Sequence, residues 1–371
     1  MSTQTTTPTA PAAADLTAVR RRLWAALEAR DEPAATAAVL DAHDAGIPAE
    51  DLLLDAIGPV QARVGAEWAA GRVGVAQEHA ATAIQDRVVA ALAHRTAAGT
   101  GPRPETREAP RRVTVACVDG EWHALPARLL AEVLRGRGFL VDYLGAHVPT
   151  PHLIAHLHQT GTDVVALSSS LPVRLPTAHA AVTAIQAIGL PVLVGGAAFG
   201  TDGRYARLLG ADGWAPDARS AARLLAAGGL RADATRHAAG VLPHLADQEY
   251  TLVTRARPRL VRQVLHGLAE AVPATASYTD RQRERTAEDI AHIVDFLGAS
   301  LYTDDAGLFT GFVTWTAGIL RARGVPGDAL VAALDLLADA QHDFPRARAH
   351  LAAGRRALLH VPAPPAPGPH A

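Results

Sequence analysis

Residues 113–126 read VTVACVDGEWHALP: a run of β-branched and small apolar residues, then Asp119-Gly120-Glu121-Trp122-His123, then Pro126 at the head of a helical pattern. This order predicts a buried strand, a short loop and a helix that Pro126 opens, where its missing N–H costs nothing and its fixed φ already suits the first turn. A histidine on such a loop, two residues after a carboxylate, is placed for metal ligation. One imidazole nitrogen can bind the metal while a neighbour holds the other and fixes the tautomer. Taken alone, His123 would more often be a solvated loop histidine, so its meaning depends on what surrounds it.

Downstream, FLVDYL (139–144), DVVALS (163–168), PVLVGG (191–196) and the short DGW (212–214) alternate with amphipathic helical stretches. Strands that alternate with helices predict a parallel sheet covered on both faces. Five such units suit a flavodoxin-like (Rossmann-like) α/β domain, whose ligand sits beyond the carboxyl ends of the strands. His123, Ser169, Gly195 and Gly196 all fall at such ends. Ser169-Ser170-Leu171 carries small polar groups and Gly195-Gly196 carries no side chains, so the adjacent strand ends should enclose a slot that accepts a long tail.

Upstream, residues 15–95 show apolar positions at helical spacing in four runs, broken near Asp31, Gly46-Ile47-Pro48 and Gly71-Arg72, which predicts a four-helix bundle. Within it, WAAGRVGVAQEH (68–79) places Trp68 at the close of one helix and Glu78-His79 in the first turns of the next. An indole, a carboxylate and an imidazole can then converge on one pocket. The bland alternative is that Trp68 caps the bundle core, as large aromatics often do.

Residues 231–358 return to helical periodicity without a strand signal, with segments over Tyr250–Val272, Asp280–Leu301, Leu308–Arg323 and Asp328–Asp343. Ile290, Ile293, Phe296, Leu297 and Leu301 make one apolar face with His292 at its margin, and Phe309, Phe312, Trp315 and Ile319 make another. Low-complexity composition predicts a disordered tail over 1–14, a linker over 96–112 and a Pro-rich tail over 359–371. The expected organisation is multidomain α and α/β: bundle (15–95), five-stranded sheet domain (113–230) and all-α domain (231–358).

Composition narrows the function. The 371 residues, 49% apolar, can bury two or three cores, and a formal charge of −2 with 19% charged residues excludes both a disordered acidic chain and a broadly basic nucleic-acid binder. All the basic residues are Arg, with no Lys or Asn, which looks like the codon bias of a GC-rich genome. The single Cys117 excludes a disulfide framework and a Cys-based metal cluster, so a cytoplasmic setting is expected. The N-terminus lacks the plan of a secretory signal, and no apolar run approaches the roughly 18 residues that span a bilayer. His147, His152, His156 and His158 lie partly at i, i+4, but no carboxylate or thiolate completes a tetrahedral set, so they read as a wet helix face.

The bundle followed by the Rossmann-like module resembles cobalamin-binding domains of the methionine synthase type, whose motif is an acidic residue, a spacer, His, two spacers and Gly, then Ser-x-Leu and Gly-Gly. Glu121-Trp122-His123, Ser169-Ser170-Leu171 and Gly195-Gly196 match in order and approximate spacing, with Glu121 in place of the commoner Asp and Pro126 in place of the motif Gly. The resemblance implies that His123 ligates cobalt from below, that Glu121 holds its other nitrogen, and that Ser169, Leu171, Gly195 and Gly196 house the nucleotide tail.

The Trp-x9-Glu-His signature looks like that of the light-sensing adenosylcobalamin repressors. By that resemblance Trp68, Val75, Glu78 and His79 cap the adenosyl group, and His79 replaces it on cobalt after photolysis. Those repressors carry a winged helix-turn-helix domain before the bundle. Here the bundle follows a 14-residue tail, so no direct DNA binding is expected.

The stretch DIAHIVDFLGASLYTDDAGLFTGFVTWTAGILRARGVP (289–326) resembles sensor globins, and the three modules together look like the photocobilins, photoreceptors that pair cobalamin with a bilin. This implies a globin-like C-terminal domain holding biliverdin or a related bilin. The domain has no Cys, so the pigment would be held noncovalently, with His292 and Trp315 as candidate contacts and Arg321, Arg323 or the Arg259/Arg262 pair able to bind propionates through bidentate hydrogen bonds.

The expected function is a non-enzymatic, homodimeric photoreceptor without membrane contact that signals to an unidentified protein. The alternatives are a corrinoid carrier for methyl transfer and a cobalamin/heme sensor that uses a proximal His. A mutase would need a (β/α)8 substrate barrel, and no such pattern is present.

Overall fold

The structure, a computed structural model, describes residues 12–99, 111–228, 230–232, 242–323 and 327–360. Most of the expected tails, most of the expected linker and part of the junction near 233–241 lie outside the described residues. The boundaries shift where they can be seen. Helix α1 (Ala12–Ala29) takes the last residues of the expected N-terminal tail, and α5 (Val75–Gly99) runs into the expected linker. Thr96 supports that extension: its hydroxyl donates to the Leu92 carbonyl at 2.8 Å instead of ending the helix.

The described residues fall into two compact bodies. The first holds the bundle and the sheet. Its helices are α1, α2 (Glu32–Asp44), α3 (Ala49–Asp51), α4 (Gly58–Ala69) and α5, and a π-helical stretch over Leu52–Ile57 joins α3 to α4. Pro59 explains the π turn, because it cannot donate to the carbonyl four residues back. The Gly58 N–H bonds to Leu53, five residues back, which widens the helix just ahead of the proline. Asp31 caps α2 by accepting from Ala34 N–H at 2.9 Å.

The sheet is parallel with strand order β2-β1-β3-β4-β5: β1 (Arg112–Cys117), β2 (Leu140–Gly145), β3 (Val164–Ser168), β4 (Val192–Gly195) and β5 (Gly213–Ala215). That is the doubly wound order expected from the sequence, and even the three-residue β5 forms. Helices α6 (Leu125–Gly136), α7 (Thr150–Thr160) and α10 (Ala218–Ala226) belong to the same body. Bundle and sheet share one core rather than two. Leu52, Leu53, Ala56 and Ile57 pack in one cluster with Leu125 and Leu129 of α6 and with Val113 and Val115 of β1. The bundle is also clamped electrostatically. Arg137 grips Glu50 with two bonds of 2.9 and 2.7 Å, and Arg219 of α10 reaches Asp51 at 2.8 Å and Asp55 at 2.6 Å.

The second body is all helical apart from its loops. It comprises residues 169–189 with α8 (Leu175–Ala187), residues 197–211 with α9 (Arg204–Leu208), and five C-terminal helices: α11 (Glu249–Ala271), α12 (Asp280–Thr303), α13 (Ala306–Ala322), α14 (Asp328–Ala340) and α15 (Pro345–Leu359). The predicted faces largely hold: Ile290, Ile293, Leu297 and Leu301 are buried, as are Phe309, Phe312 and Ile319. Trp315 departs from its face and is half exposed. Helix α15 was not separately expected. It packs closely because Gly354 has no side chain; a Cβ there would stand 2.8 Å from the Phe309 ring. The C-terminal helices are tied to α8 and α9 by hydrogen bonds between His179 Nδ1 and the Tyr302 hydroxyl (2.7 Å) and from the Tyr205 hydroxyl to Asp305 (2.6 Å).

Candidate functional site

The loop after β1 is built by a tight turn. Glu121 N–H bonds the Val118 carbonyl at 2.8 Å, and Gly120 takes φ +78°, which L side chains rarely adopt. The turn drives the Glu121 side chain fully inside while the His123 side chain stays 56% exposed. Glu121 Oε1 accepts twice, from the His123 backbone N–H at 2.9 Å and from its Nδ1 at 2.6 Å. The proton therefore sits on Nδ1 and the Nε2 lone pair is presented outward. The Glu121 hydrogen bond raises the His123 pKa. Burial works against it, and the charges of Glu121 and, from the bundle, Glu78 add to the rise.

Cys117, below this loop, is pushed up to about 12 by burial, with the Glu121 charge acting the same way, so it stays a thiol and supplies no ligand. Next to the loop lies His147, between β2 and α7. Its ring stacks on Trp122 at 4.8 Å between centroids and 13° between planes, and its Nδ1 accepts the Gly120 N–H at 2.9 Å. Sequence reasoning placed His147 in a wet helix face. The structure instead puts it ahead of α7, against the loop that carries His123.

From the bundle come Trp68, half-buried in the last turn of α4, and Val75, Glu78 and His79 in the first turns of α5. Glu78 and His79 pair at 2.8 Å, and His79 Nδ1 also bonds the Val75 carbonyl at 2.9 Å. The residues that orient Glu78 were not foreseen. Gln85, fully buried, donates to Gln61, Gln61 to the Thr82 hydroxyl (2.8 Å), and Thr82 to Glu78 Oε1 (2.9 Å). Glu78, Thr82 and Gln85 stand at i, i+4 and i+7 on α5, but Gln61, which links Gln85 to Thr82, lies on α4. Val75 (58% exposed) and His79 (side chain 75% exposed) leave this face open rather than filled.

At the carboxyl ends of the strands a cavity of about 140 Å³ is lined by Pro126, Ser168, Gly195, Gly196, Pro216 and Ala218, among others. Gly196 takes φ +99°, a conformation that favours glycine. Ser169 is buried, and its carbonyl accepts from Ala198 N–H at 3.1 Å. Ser169 and Leu171 belong to the second body, and Glu121, His123, Gly195 and Gly196 to the first.

These groups fit a macrocycle-bound metal. Among the described residues no three His, Cys, Asp or Glu side chains converge on a metal. A single imidazole with a carboxylate on its far nitrogen suits an ion that arrives with most of its ligands already in place. Beside it, the glycine-lined cavity leaves room for a tail.

The candidate bilin residues do not converge in this way. His292, Trp315, Arg259 and Arg262 are all exposed. Arg262 lines a groove of about 440 Å³ with Leu265, His266, Tyr278, Arg283 and Thr286, while Arg259, His292 and Trp315 do not line it. Trp315 instead extends an aromatic series: Phe296 stacks on Phe312 at 3.7 Å, and Phe312 lies 6.4 Å from Trp315.

Comparison with known proteins gives the class. Residues 111–223 match the B12 binding domain, and residues 19–93 match a second family of the same description. The chain is a cobalamin-binding protein. Over 182 residues it is 30% identical to the HTH-type transcriptional repressor CarH of Myxococcus xanthus, an alignment that covers 48% of this chain and 58% of that one. The chain thus spans rather more than half the length of this curated relative. Among solved structures it is similar to the monomethylamine corrinoid protein of Methanosarcina barkeri, with 18% identity and a TM-score of 0.47 over 56% of this chain and 96% of the other. A cobalamin-binding protein from Desulfitobacterium hafniense is also similar, at 19% identity and a TM-score of 0.30 over 56% and 97% of the two chains. No helix among the described residues is long and apolar enough to cross a membrane.

Proposed function

We propose that this protein is a non-enzymatic light sensor that holds adenosylcobalamin between His123 and the bundle face formed by Trp68, Val75, Glu78 and His79. The observation that carries this reading is the Glu121–His123 pair, 2.6 Å between Oε1 and Nδ1, which leaves Nε2 for a metal in the same body as the bundle. The Glu78 charge, which adds to the rise in the His123 pKa, supports assigning the bundle face to the same site. Bound there, adenosylcobalamin supplies a cobalt–carbon bond that visible light breaks.

The chain's own residues would do the rest. His123 keeps its grip through Glu121. Trp68 and Val75 would offer apolar surface to the cofactor's upper ligand, and loss of that contact would free the bundle to move. His79, tethered at Nδ1 to the Val75 carbonyl, would have its other nitrogen available as a replacement ligand. The Glu50/Asp51/Asp55 clamp to Arg137 and Arg219 is the contact about which bundle motion must pivot or break.

In this reading the second body holds biliverdin or a related bilin noncovalently in a globin-like domain. The groove at Arg262 and Arg283 can take propionates, and the sensor works as a homodimer that signals to another protein. What supports this half is the resemblance of residues 289–326 to sensor globins and the placement of two guanidinium groups on one groove.

The test is spectroscopic. Protein loaded with adenosylcobalamin in the dark should change its absorption under green light; identical spectra before and after would end the light-sensing reading. Trp68→Ala should weaken adenosylcobalamin more than hydroxocobalamin, whereas a carrier with no upper pocket would show no such selectivity. Biliverdin added to the same protein should gain structured red absorption, and no change would remove the bilin half alone.

A further inference from the structure

We propose that His147 is a positioning residue for the metal-ligating loop: from a separate loop it fastens three consecutive residues, Gly120, Glu121 and Trp122, immediately before His123. This deepens the site reading and rests on His123 as the axial ligand. Three contacts carry it. His147 Nδ1 accepts the Gly120 N–H at 2.9 Å, the His147 backbone N–H donates to the Glu121 carbonyl at 2.9 Å, and the imidazole stacks on Trp122. Asp119 Oδ1 stands 3.2 Å from the same Nδ1.

Two further features set His147 apart from an ordinary surface histidine. Its φ is +49°, the left-handed region that costs a non-glycine residue about 1 kcal/mol or more, and such strain persists where surrounding contacts enforce it. Its ring also accounts for an indole that is 69% exposed, a poor state for Trp unless one face is covered.

The geometry explains how Glu121 keeps its aim. Gly120 is in a positive-φ turn and would otherwise be the loop's loosest point. With its N–H held, and the next carbonyl held from the same residue, Glu121 is fixed on both sides of its Cα, and its carboxylate can stay on the imidazole. Without His147, the loop keeps its residues but loses the restraint that sets the direction of His123 Nε2.

The test uses the full chain loaded with cob(II)alamin. Electron paramagnetic resonance then reads nitrogen splitting from an axial histidine, and protein labelled with 15N-histidine separates that splitting from the cofactor's own base. His147→Ala should bind about ten- to a hundred-fold more weakly, and most of the bound cofactor should lose the histidine splitting. His147→Asn keeps an acceptor and tolerates a left-handed backbone, so it should recover most of both. Trp122→Leu removes the stack alone and should cost about two- to ten-fold.

Full splitting at wild-type affinity in His147→Ala overturns the proposal, and so does an Asn variant no better than Ala. Should the Ala variant not fold, the Asn and Trp122→Leu variants decide: wild-type affinity and splitting in Trp122→Leu, or no histidine splitting in His147→Asn, overturns it. His123→Ala is the control. If it retains histidine splitting, the axial reading fails and takes this proposal with it; if only His147 proves indifferent, the axial reading stands.

Discussion

The first body and the C-terminal helices are both built largely of periodic apolar faces, yet their candidate ligand residues behave differently. In the first body, Glu121 and His123 meet within 2.6 Å, and Glu78 bears on them from another element. In the C-terminal helices, His292, Trp315, Arg259 and Arg262 stay on the surface, and only Arg262 lines the described groove. The difference lies in how each set was chosen. Strand-end loops of a doubly wound sheet converge on one edge, so residues read from them are brought together by topology. Residues read from helical faces share only a direction around an axis, which fixes burial and not a common target.

The largest effect that would break the comparison is on His123. His123→Ala should cost about a hundred-fold or more in corrinoid affinity, and Glu121→Gln about ten-fold, by calorimetric titration with hydroxocobalamin. Melting of the second body should not change. If the His123→Ala variant binds like the wild type, convergence in the first body carries no ligand.

Acid sharpens the contrast, because the half-exposed His123 of the first body and the buried histidines of the second shift in opposite directions. Glu121 raises His123, so the apoprotein gains stability from that pair below the ordinary value of 6.5 and loses it as pH rises through the raised value. A metal needs Nε2 unprotonated, so corrinoid affinity should fall as pH drops through the raised value, by at most about ten-fold per pH unit. In the second body, burial lowers His179 and His350, both more than nine-tenths buried. Their stabilisation is present above 6.5 and is lost as pH falls below it toward the lowered values. Acidifying the apoprotein from about pH 7.5 to about 5.5 should therefore loosen the second body while leaving the first no weaker. Hydrogen exchange resolved along the chain separates the two, and His350→Gln should flatten the second-body response. Parallel losses in both bodies would contradict this assignment.

Strand order, the four bundle helices and the Glu121–His123 pair were all legible in the sequence, because each follows from period, loop position or a spacing of two. The supports were not. His147 acts through a backbone conformation and three contacts from a distant loop, and nothing in AHVPTP announces a left-handed histidine. The Gln85–Gln61–Thr82 series that aims Glu78 joins two helices, so no single stretch displays it. Helix boundaries moved where a side chain, Thr96, bonded its own helix despite a turn-like composition. The partition also differed, since Leu52 to Ile57 pack with α6 and β1 and so merge bundle and sheet into one core.

That merger sets the next prediction. Arg219 bridges a row of Asp51, Asp55 and Glu50, the last of which Arg137 also holds. Arg219→Met takes the guanidinium from Asp51 and Asp55 and leaves Glu50 to Arg137; the carboxylates are partly solvated, so first-body stability should fall by about 1 to 2 kcal/mol, measured by urea unfolding. Because the apolar core would remain, the bundle should loosen without detaching, and dark-state adenosylcobalamin affinity should fall less than with His123→Ala.

The smallest expected effect concerns the scattered residues of the C-terminal helices. Arg262 shares its groove with Arg283 and Tyr278 near a floor of Leu265 and Leu268, whereas Arg259 lies outside it. If propionates are received there, Arg262→Ala should weaken biliverdin binding about three- to ten-fold, consistent with loss of one charge-assisted contact, and Arg259→Ala should leave it within error. Arg283 is the informative partner, since it also pairs with Asp280 at 3.2 Å. If neither single change nor a double Arg262/Arg283 variant weakens biliverdin binding, the two guanidinium groups do not hold the ligand. The groove would then lose its claim, and the exposed Trp315 end of the Phe296–Phe312 stack would become the place to look.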